Sequence, residues 1–410
     1  MRERCLELDA HDPLGRSREA FDLPADRIYL DGNSLGALPR AVPERLRTVI
    51  DEEWGRTLIG SWNQHDWINL PVTVGEKIAP LVGAGPGQVL CTDSISVNLY
   101  KLLSAALALQ PGRRVIVSQG DNFPTDLYMA QGLATELGSE RCELRIVDAD
   151  GIEDALDSDV AVLMLTHADF RTGRLHDMKR MTVVARERGV LTLWDLAHSA
   201  GVVPVSLDDW GVDMAVGCGY KFLNGGPGAP AFLYLAERHQ STARQPLTGW
   251  MGHGDAFEFS PRYRPADGVR RFLSGTPGIL GMCALDAALD VYSGVTVEQS
   301  RKKSLALTDL FIEAVDACGD LAQLELLTPR DHDARASQVS LAHPEGWGIS
   351  QALIDAGIIV DFRAPDIVRF GFAPLYNRYL DVADAVGVLA DVMTSKRYRD
   401  PRFQARKRVT

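Results

Sequence analysis

Residues 217–230 read GCGYKFLNGGPGAP and place Lys221 between two apolar segments, VDMAVGCG (212–219) and PAFLYL (230–235). Both segments are largely apolar with little polar alternation, which is typical of strands that are buried on both faces of a sheet. A lysine at such a place either extends its ammonium to water along an apolar stem or gives up its charge and reacts, because burial of an unpaired charge is costly. This segment alone leaves both interpretations of Lys221 open.

Upstream of Lys221, short apolar runs alternate with longer helical patterns. The runs predict strands, also buried on both faces, at QVLCT (88–92), RVIVSQ (114–119), ELRIVDA (143–149), VAVLMLTH (160–167) and VLTLWD (190–195). Helical spacing occurs in SVNLYKLLSAALAL (96–109), DLYMAQGLATELG (126–138) and MKRMTVVARERG (178–189), and the last two end at a glycine that can cap a helix. This alternation predicts an α/β fold with a mainly parallel sheet. The last strands follow each other too closely for a helix in every gap, so we expect some antiparallel pairing there.

The C-terminal part has a different pattern. SRKKSLALTDLFIEAVDACGD (300–320) and YLDVADAVGVLADVMTSK (379–396) predict helices, and ASQVSLAH (336–343), GIIVDFR (357–363) and IVRFGFA (367–373) predict strands. We therefore expect a large domain over residues 61–284 and a smaller α+β domain over residues 285–410. Residues 1–60 are expected to be an N-terminal segment that packs with the small domain.

Composition limits the classes of function. The chain has 410 residues, 46% hydrophobic and 24% charged, and its net charge of −12 disfavours binding to nucleic acid or to an anionic membrane. No signal peptide or long apolar stretch is evident, so we expect a cytoplasmic protein. The basic segment SKRYRDPRFQARKRVT (395–410) is interpreted as a solvated tail. Six scattered cysteines suggest neither a metal site nor a disulfide framework, and most are expected to be reduced core residues.

Polar residues cluster where the predicted strands end. The segments CTDSIS (91–96), LTHAD (165–169), LWDLAH (193–198) and GCGYK (217–221) each follow or close a strand. Ligands of open parallel sheets bind outside the carboxyl ends of the strands. We therefore expect these segments to surround one crevice.

Two residues in this crevice suit an aldehyde cofactor. Lysine forms Schiff bases with carbonyl compounds, including pyridoxal phosphate. A carboxylate such as Asp195 would keep the pyridine nitrogen of that cofactor protonated, so that the ring withdraws electrons from a substrate. The alternative for Asp195 is to cap the next turn, and His198 is either a cofactor contact or a structural histidine.

Three further positions carry open alternatives. Ser96 is predicted to be the N-cap of a helix whose N-terminus either binds a phosphate or has no ligand. Phe123, next to Thr125 and Asp126, either stacks on a flat ring or packs as an apolar staple. Arg369 either binds a substrate carboxylate with its planar fork or is a partly exposed arginine paired with a surface acid.

Several longer motifs add a resemblance to a known family. They are YLDGNSLGALP (29–39), SVNLYKLL (96–103), DNFPTDLY (121–128), HADFRTGRLHDM (167–178), WDLAHSAG (194–201), GCGYKFLNGGPGAPAFLY (217–234), LTGWMGH (247–253), FLSGTP (272–277) and IVRFGFAPLYN (367–377). In order and content they resemble the kynureninase family, which belongs to the fold type I enzymes that depend on pyridoxal phosphate, in the class V aminotransferase group. The glycine-rich segment and the GWxGH element are the specific ones, whereas the DxAH element also resembles cysteine desulfurases.

The resemblance implies a set of roles. Lys221 would hold the cofactor aldehyde, Asp195 would pair with the pyridine nitrogen and His198 would lie beside it, while Tyr220 would reach the phosphate and relay protons. The other implied cofactor contacts are Ile95, Ser96, Phe123, Pro124, Thr125, Asp126 and Thr166, with Trp250 and Thr276 reaching across a homodimer interface. Arg369 would bind the α-carboxylate of the substrate.

The implied reaction is the hydrolysis of L-kynurenine or 3-hydroxy-L-kynurenine to L-alanine and the corresponding anthranilate, in tryptophan degradation. Lys221, Tyr220 and Asp195 would be the catalytic residues. A cysteine desulfurase is the alternative within the same fold, although Cys283 and Cys318 lie in helical patterns rather than on a loop. A non-catalytic regulatory module that binds the cofactor is the alternative from another class.

Overall fold

The computed structural model describes residues 1–406. The apolar runs singled out in the sequence form strands, but GIIVDFR (357–363) forms two short strands in different sheets rather than one. Further short strands lie between residues 21 and 39 and near residue 325. The strands are β1 (Phe21–Asp22), β2 (Ile28–Tyr29), β3 (Leu38–Pro39), β4 (Val89–Cys91), β5 (Val115–Gln119), β6 (Glu143–Val147), β7 (Val160–Thr166), β8 (Leu191–Asp195), β9 (Met214–Cys218), β10 (Ala231–Leu235), β11 (Glu325–Leu326), β12 (Gln338–Ala342), β13 (Ile358–Ile359), β14 (Asp361–Arg363) and β15 (Ile367–Gly371).

The large sheet has the strand order β4-β10-β9-β8-β7-β5-β6. The neighbours from β9 to β6 run parallel, whereas β10 is antiparallel to both β9 and β4. This confirms the α/β fold with a mainly parallel sheet and the antiparallel pairing among the closely spaced strands. Burial on both faces was the wrong expectation for β6, because this strand lies at the edge of the sheet and its Ile146 is exposed.

Helices alternate with these strands along the chain. They are α1 (Arg2–Ala10), α2 (Ala41–Thr48), α3 (Ser61–Gln64), α4 (Leu70–Ile78), α5 (Ile95–Leu109), α6 (Pro124–Leu137), α7 (Met178–Glu187), α8 (Glu237–Gln240), α9 (Ile279–Ala288), α10 (Val297–Ala317), α11 (Gly346–Asp355) and α12 (Tyr379–Ser395), and a π-helix spans Val49–Thr57. α6 begins with Pro124, whose fixed φ suits a first helical turn, and it ends at Gly138 with a φ of 77°.

A second, antiparallel sheet in the order β11-β12-β15-β14 forms the C-terminal part together with α10, α11 and α12. The first sixty residues contribute to both apolar cores. Cys5 and Leu30 belong to the core of the C-terminal part, whereas Phe21 and Val49 belong to the core of the large sheet. The domain boundaries at residues 60 and 284 stay predictions.

The interpretation of residues 395–410 as a solvated tail is wrong for the part that the structure describes. Tyr398 and Phe403 are buried in the C-terminal core, and two short 3-10 helices, Arg397–Arg399 and Pro401–Phe403, bring them there. Burial of two aromatic side chains outweighs the solvation of the flanking arginines, which stay at the surface. Residues 407–410 of this segment lie outside the described residues.

The six cysteines are all free, and five of them are buried, as expected for reduced core residues. Between residues 1 and 406 no single helix is both long and apolar enough to cross a membrane. One pair of helical segments, Ile279–Tyr292 and Val297–Ala317, satisfies length and composition together, but the two are bent by 78° at their junction.

A buried ion pair fixes the N-terminal segment to α10, and it gives a test of the fold. Lys303 Nζ lies 2.6 Å from Asp12 Oδ2, and both side chains are almost fully buried. We expect Asp12→Ala to lower the free energy of unfolding by about 3–5 kcal/mol, because the ammonium then stays buried without a partner. Urea denaturation measures this change.

The matched control is Arg4→Ala, which removes an exposed pair between Arg4 and Glu313. We expect this variant to change the free energy of unfolding by about 0.5 kcal/mol or less. Equal small effects of the two substitutions would contradict the anchoring role of the buried pair.

Candidate active site

A cavity of about 410 Å³ lies at the carboxyl ends of the strands of the large sheet. This volume is within the range that small-molecule sites occupy. The cavity is lined by Asp93, Ser94, Ile95, Ser96, Phe123, Thr125, Asp126, Thr166, Phe170, Asp195, Ala197, His198, Cys218, Tyr220, Lys221, Gly228, Ala229 and Ala231. The structure therefore brings together the four strand-end segments that the sequence placed around one crevice.

Lys221 lies in the turn after β9, and the N-terminal segment packs against the backbone of this turn. The N–H of Gly36 donates to the carbonyl of Tyr220 at 2.8 Å, and the N–H of Asn224 donates to the carbonyl of Lys221 at 2.9 Å. A Cβ at position 36 would collide with the Lys221 carbonyl, so only glycine permits this close approach. The motif YLDGNSLGALP thus fixes the backbone that carries the lysine.

The amine of Lys221 lies against a histidine and two aromatic rings. Its Nζ is 3.0 Å from His198 Nε2 and 5.9 Å from the ring centres of both Phe123 and Tyr220. Burial, and then the positive charges of Lys221 and Arg369, hold the pKa of His198 well below its usual value. A neutral imidazole can accept a hydrogen bond from the lysine, so the pair is not a contact between two cations.

Two carboxyl groups are buried on the floor of the cavity. Asp195 ends β8, and its Oδ1 accepts the N–H of Ala197 at 2.8 Å. Asp126, in the first turn of α6, accepts from Thr166 Oγ1 at 3.2 Å, while its Oδ1 has no hydrogen-bond partner. Burial raises the pKa of both groups. The Asp195 charge raises the pKa of Asp126 further, whereas Lys221 opposes the rise at Asp195.

The acidic pair is a feature that sequence reasoning missed. Asp126 was predicted as a cofactor contact, but its position beside Asp195 was not predicted, although it is an acid at the third position of a helix that starts near the ends of the strands. Asn122 was also missed, and its Oδ1 accepts the N–H of Thr166 at 2.7 Å. Two desolvated carboxyl groups beside one amine favour a further cationic or N–H partner in the cavity.

The N-terminus of α5 is a candidate anion site. The N-cap is Ser94, whose side chain accepts the N–H of Val97, so the prediction of Ser96 as N-cap is wrong by two residues. The helix starts earlier because Ser94 has the extended backbone that a cap requires, with φ −113° and ψ 165°. The N–H groups of Ile95 and Ser96 have no acceptor within the helix, and both residues line the cavity.

Phe123 is not an apolar staple, because its side chain is 37% exposed and lines the cavity. It immediately precedes Pro124, the first residue of α6, and its ring meets that of Phe170 edge to face at 5.2 Å. Phe170 belongs to the HADFRTG motif but had no predicted role. The two rings form an apolar wall against which a flat ring could pack.

Arg369 is buried in the middle of β15, so the alternative of a partly exposed arginine paired with a surface acid is wrong. Its Nε donates to Asp361 Oδ1 at 2.8 Å and its Nη2 also binds that carboxylate. Further bonds run from Nη2 to Ser34 Oγ at 2.8 Å and from Nη1 to the carbonyl of Phe170 at 2.6 Å. Arg369 therefore contacts the backbone of Phe170, a residue that lines the cavity.

Asp361 and Ser34 were missed by sequence reasoning. The available signal for Asp361 was an acid within the apolar run GIIVDFR. Strands β14 and β15 pair so that Asp361 lies opposite Arg369. Burial opposes ionisation of Asp361, but the charges of Arg369 and Arg363 outweigh it and lower the pKa of this carboxyl. The arginine is thereby held in one orientation.

Four predicted site residues do not line the cavity as the structure describes it. Pro124 lies in the first turn of α6, Trp250 and Thr276 lie on exposed segments, and Arg369 is buried behind Phe170. Trp250 instead lines a separate surface cavity with residues 248–263. No group of three or more His, Cys, Asp or Glu side chains within residues 1–406 is placed to hold a metal ion.

The donor set fits pyridoxal phosphate. The amine of Lys221 suits an aldehyde, the acidic floor suits a protonated ring nitrogen, and the N-terminus of α5 suits a phosphate. The unpartnered Oδ1 of Asp126 and the unpartnered Nδ1 of His198 are buried polar atoms of the kind that a bound group satisfies.

Solved structures with a similar fold are enzymes of one group. An apo cysteine desulfurase from Thermococcus onnurineus NA1 superposes with a TM-score of 0.77 at 21% identity, over 92% of this chain and 98% of its own. A C-DES mutant with glycine covalently linked to its pyridoxal-phosphate cofactor superposes with a TM-score of 0.76 at 18% identity, over 91% and 99% of the two chains. These similarities establish the fold.

Sequence relatives are more specific. The family described as kynureninase C-terminal domain matches residues 300–389. A kynureninase of Burkholderia pseudomallei (strain 1106a) is 51% identical over all of this chain and 99% of its own length. A kynureninase of Deinococcus radiodurans is 54% identical over 94% of this chain and 95% of its own. Identity at this level over the full length shows that the chain belongs to the kynureninase family.

Proposed function

We propose that this chain is an enzyme that uses pyridoxal phosphate to hydrolyse the Cβ–Cγ bond of L-kynurenine, giving anthranilate and L-alanine. The observation that carries the proposal is the identity of 51% to a kynureninase over the whole chain. The cavity alone supports a lysine-bound aldehyde cofactor, which cysteine desulfurases of the same fold also use, so the family match selects the substrate.

The chain offers a residue for each part of the cofactor. Lys221 would hold the aldehyde carbon, the Asp195 carboxylate the ring nitrogen, Phe123 one face of the ring, and the N–H groups of Ile95 and Ser96 the phosphate. The cofactor, when bound, supplies an electrophilic carbon and a ring that accepts electrons from the substrate. Thr125, Asp126, Thr166, His198 and Tyr220 complete the proposed contacts.

Proton transfer falls to two neighbouring side chains. Lys221 Nζ would take the proton from the substrate Cα and return it later. Burial raises the pKa of the Tyr220 hydroxyl, which therefore stays protonated at neutral pH and can donate. The neutral imidazole of His198, 3.0 Å from Nζ, would accept a hydrogen bond from the amine and hold it in place.

Water supplies the atoms that the cleavage needs. Its oxygen forms a bond to the aryl carbonyl carbon, the Cβ–Cγ bond breaks, and Cβ receives a proton. The aryl product leaves as a carboxylate, and the amino acid product is alanine. Asp361 already binds two nitrogens of the Arg369 fork, and Nη1 donates to the carbonyl of Phe170. The α-carboxylate of the substrate would therefore bind the remaining N–H of Nη1, in the role that the family resemblance implies for this arginine.

A homodimer with shared sites completes the proposal. Trp250 and Thr276 lie on exposed segments of this chain and would enter the cofactor site of the partner. An apolar groove lined by Val49, Trp54 and residues 278–281 gives a second copy a surface to cover. Leu58 and Ile59, which follow the π-helix that carries Trp54, are also exposed.

A cysteine desulfurase activity has less support from the cavity. That chemistry needs a mobile, ionisable cysteine near the cofactor. Cys283 is buried within α9, and Cys318 follows α10. Cys218 does line the cavity, but it ends a rigid strand and burial raises the pKa of its thiol.

The direct test is to incubate the purified protein and pyridoxal phosphate with L-kynurenine, with 3-hydroxy-L-kynurenine and with L-cysteine. We expect anthranilate fluorescence and alanine to appear in equal amounts from kynurenine, and no sulfide from cysteine. Sulfide without any aromatic amine would favour the desulfurase. Bound cofactor without turnover of any substrate would favour the regulatory module.

Arg369→Lys tests the carboxylate site. A lysine cannot reproduce the planar fork, so we expect KM for L-kynurenine to rise about tenfold or more with a smaller change in kcat. The control is Arg330→Lys at an exposed ion pair with Asp316, which should leave both constants unchanged. An unaltered KM in a folded Arg369→Lys protein would contradict the assignment.

A further inference from the structure

A fully buried charge outside the mechanism lies in the second turn of α5. Lys101 has no exposed surface, and its neighbours Leu99, Leu102 and Leu103 belong to an apolar core. Its Nζ donates to Asp93 Oδ2 at 2.6 Å and to the carbonyl of Phe272 at 2.5 Å. Burial lowers the pKa of Lys101, and the Asp93 charge opposes this change.

Stability alone does not account for this lysine. Replacing a buried ion pair by apolar residues of similar volume is often neutral or stabilising, because both charges lose their hydration. An apolar helix such as α5 would pack at least as well with leucine or methionine at this position. We therefore look for the role of the Lys101 charge in its two partners, Asp93 and the carbonyl of Phe272.

The first partner, Asp93, lies at the entrance of the anion site. It immediately precedes Ser94, the N-cap of α5, and it lines the cavity. Its backbone is left-handed, with a φ of 49°, and its carbonyl accepts the N–H of Ala231 at 2.9 Å. A carboxylate at this place would repel a phosphate dianion unless a cation neutralised it.

The second partner connects the anion site to another segment. Phe272 ends the 3-10 helix Gly268–Phe272, and the chain continues from it to Thr276. Within that continuation the carbonyl of Ser274 accepts the N–H of Met251 at 3.2 Å, next to Trp250. One ammonium thus fastens the loop before α5 to the segments that carry Trp250 and Thr276.

We propose that Lys101 is a positioning residue for the cofactor phosphate: it neutralises Asp93 in the loop that presents the N-terminus of α5. It acts through Asp93, since it is not among the described residues that line the cavity. The proposal rests on pyridoxal phosphate as the cofactor of the proposed function. It assigns to the lysine of SVNLYKLL a role in binding rather than in catalysis.

The test compares two aldehydes that differ in the phosphate alone. Apoprotein is titrated with pyridoxal phosphate and with pyridoxal, and binding is followed by visible absorbance. In Lys101→Met, Asp93 keeps its charge without a counterion. We therefore expect the Kd for pyridoxal phosphate to rise about tenfold or more, and the Kd for pyridoxal to stay within about twofold. The ³¹P resonance of bound pyridoxal phosphate should shift.

Two further variants distinguish the effect of the lost Lys101 charge from damage to the fold. Lys77→Met, which removes a partly exposed lysine paired with Asp286 and Asp290, should leave both affinities unchanged. The double variant Lys101→Met with Asp93→Asn removes both charges. Its affinity for pyridoxal phosphate should return to within about threefold of the original value, because no unpaired carboxylate then faces the phosphate.

Three results would overturn the proposal. They are unchanged affinity for pyridoxal phosphate in Lys101→Met, an equal loss for both aldehydes, or no recovery in the double variant. If Lys101→Met does not fold, the double variant alone tests the proposal. An affinity of that variant for pyridoxal phosphate more than about tenfold below the original value then counts against the proposal. Absence of kynurenine cleavage leaves these binding results intact, whereas failure of the unaltered protein to bind either aldehyde overturns cofactor and proposal together.

Discussion

The amine of Lys221 among buried acids is the constraint on which the rest of the structure depends. Asp126 and Asp195 lose most of their hydration at the floor of the cavity, and burial raises the pKa of each. Such groups stay near the charged state only with an N–H or cationic partner at close range. Parallel strands supply the necessary rigidity, because β7, β8 and β9 end together and the register places Thr166 beside Asp195.

Charges around the cavity occur in opposite pairs contributed by different parts of the chain. Arg369 and Asp361 come from neighbouring strands of the C-terminal sheet, and Ser34 joins them from the N-terminal segment. Lys101 and Asp93 form a second pair beneath the anion site. Each pair orients a polar group before any ligand arrives, so binding requires little reorganisation. The N-terminal segment contacts the lysine turn through the N–H of Gly36 and the arginine through Ser34.

Sequence reasoning predicted what periodicity and strand ends determine. The apolar runs predicted the strands along the chain. The rule that ligands bind at the carboxyl ends of parallel strands placed Ser96, Thr166, Asp195 and Lys221 at one cavity. Sequence reasoning failed where contacts between distant segments determine the position of a residue. The partner of Arg369 depends on strand register, the N-cap of α5 depends on the backbone of Ser94, and the acidic pair depends on how α6 meets β8. The basic C-terminal segment packs on the core because Tyr398 and Phe403 are buried, which its count of charges does not predict.

Borohydride reduction of the holoprotein followed by peptide mass mapping tests the central claim most directly. Reduction makes a bond between a lysine amine and the cofactor permanent, so the modified lysine is identified without any assumption about substrate. The account predicts one pyridoxyl group per chain, on the peptide that contains Lys221. A label on another lysine, such as Lys101, or no label in a protein that has bound the cofactor, would contradict it.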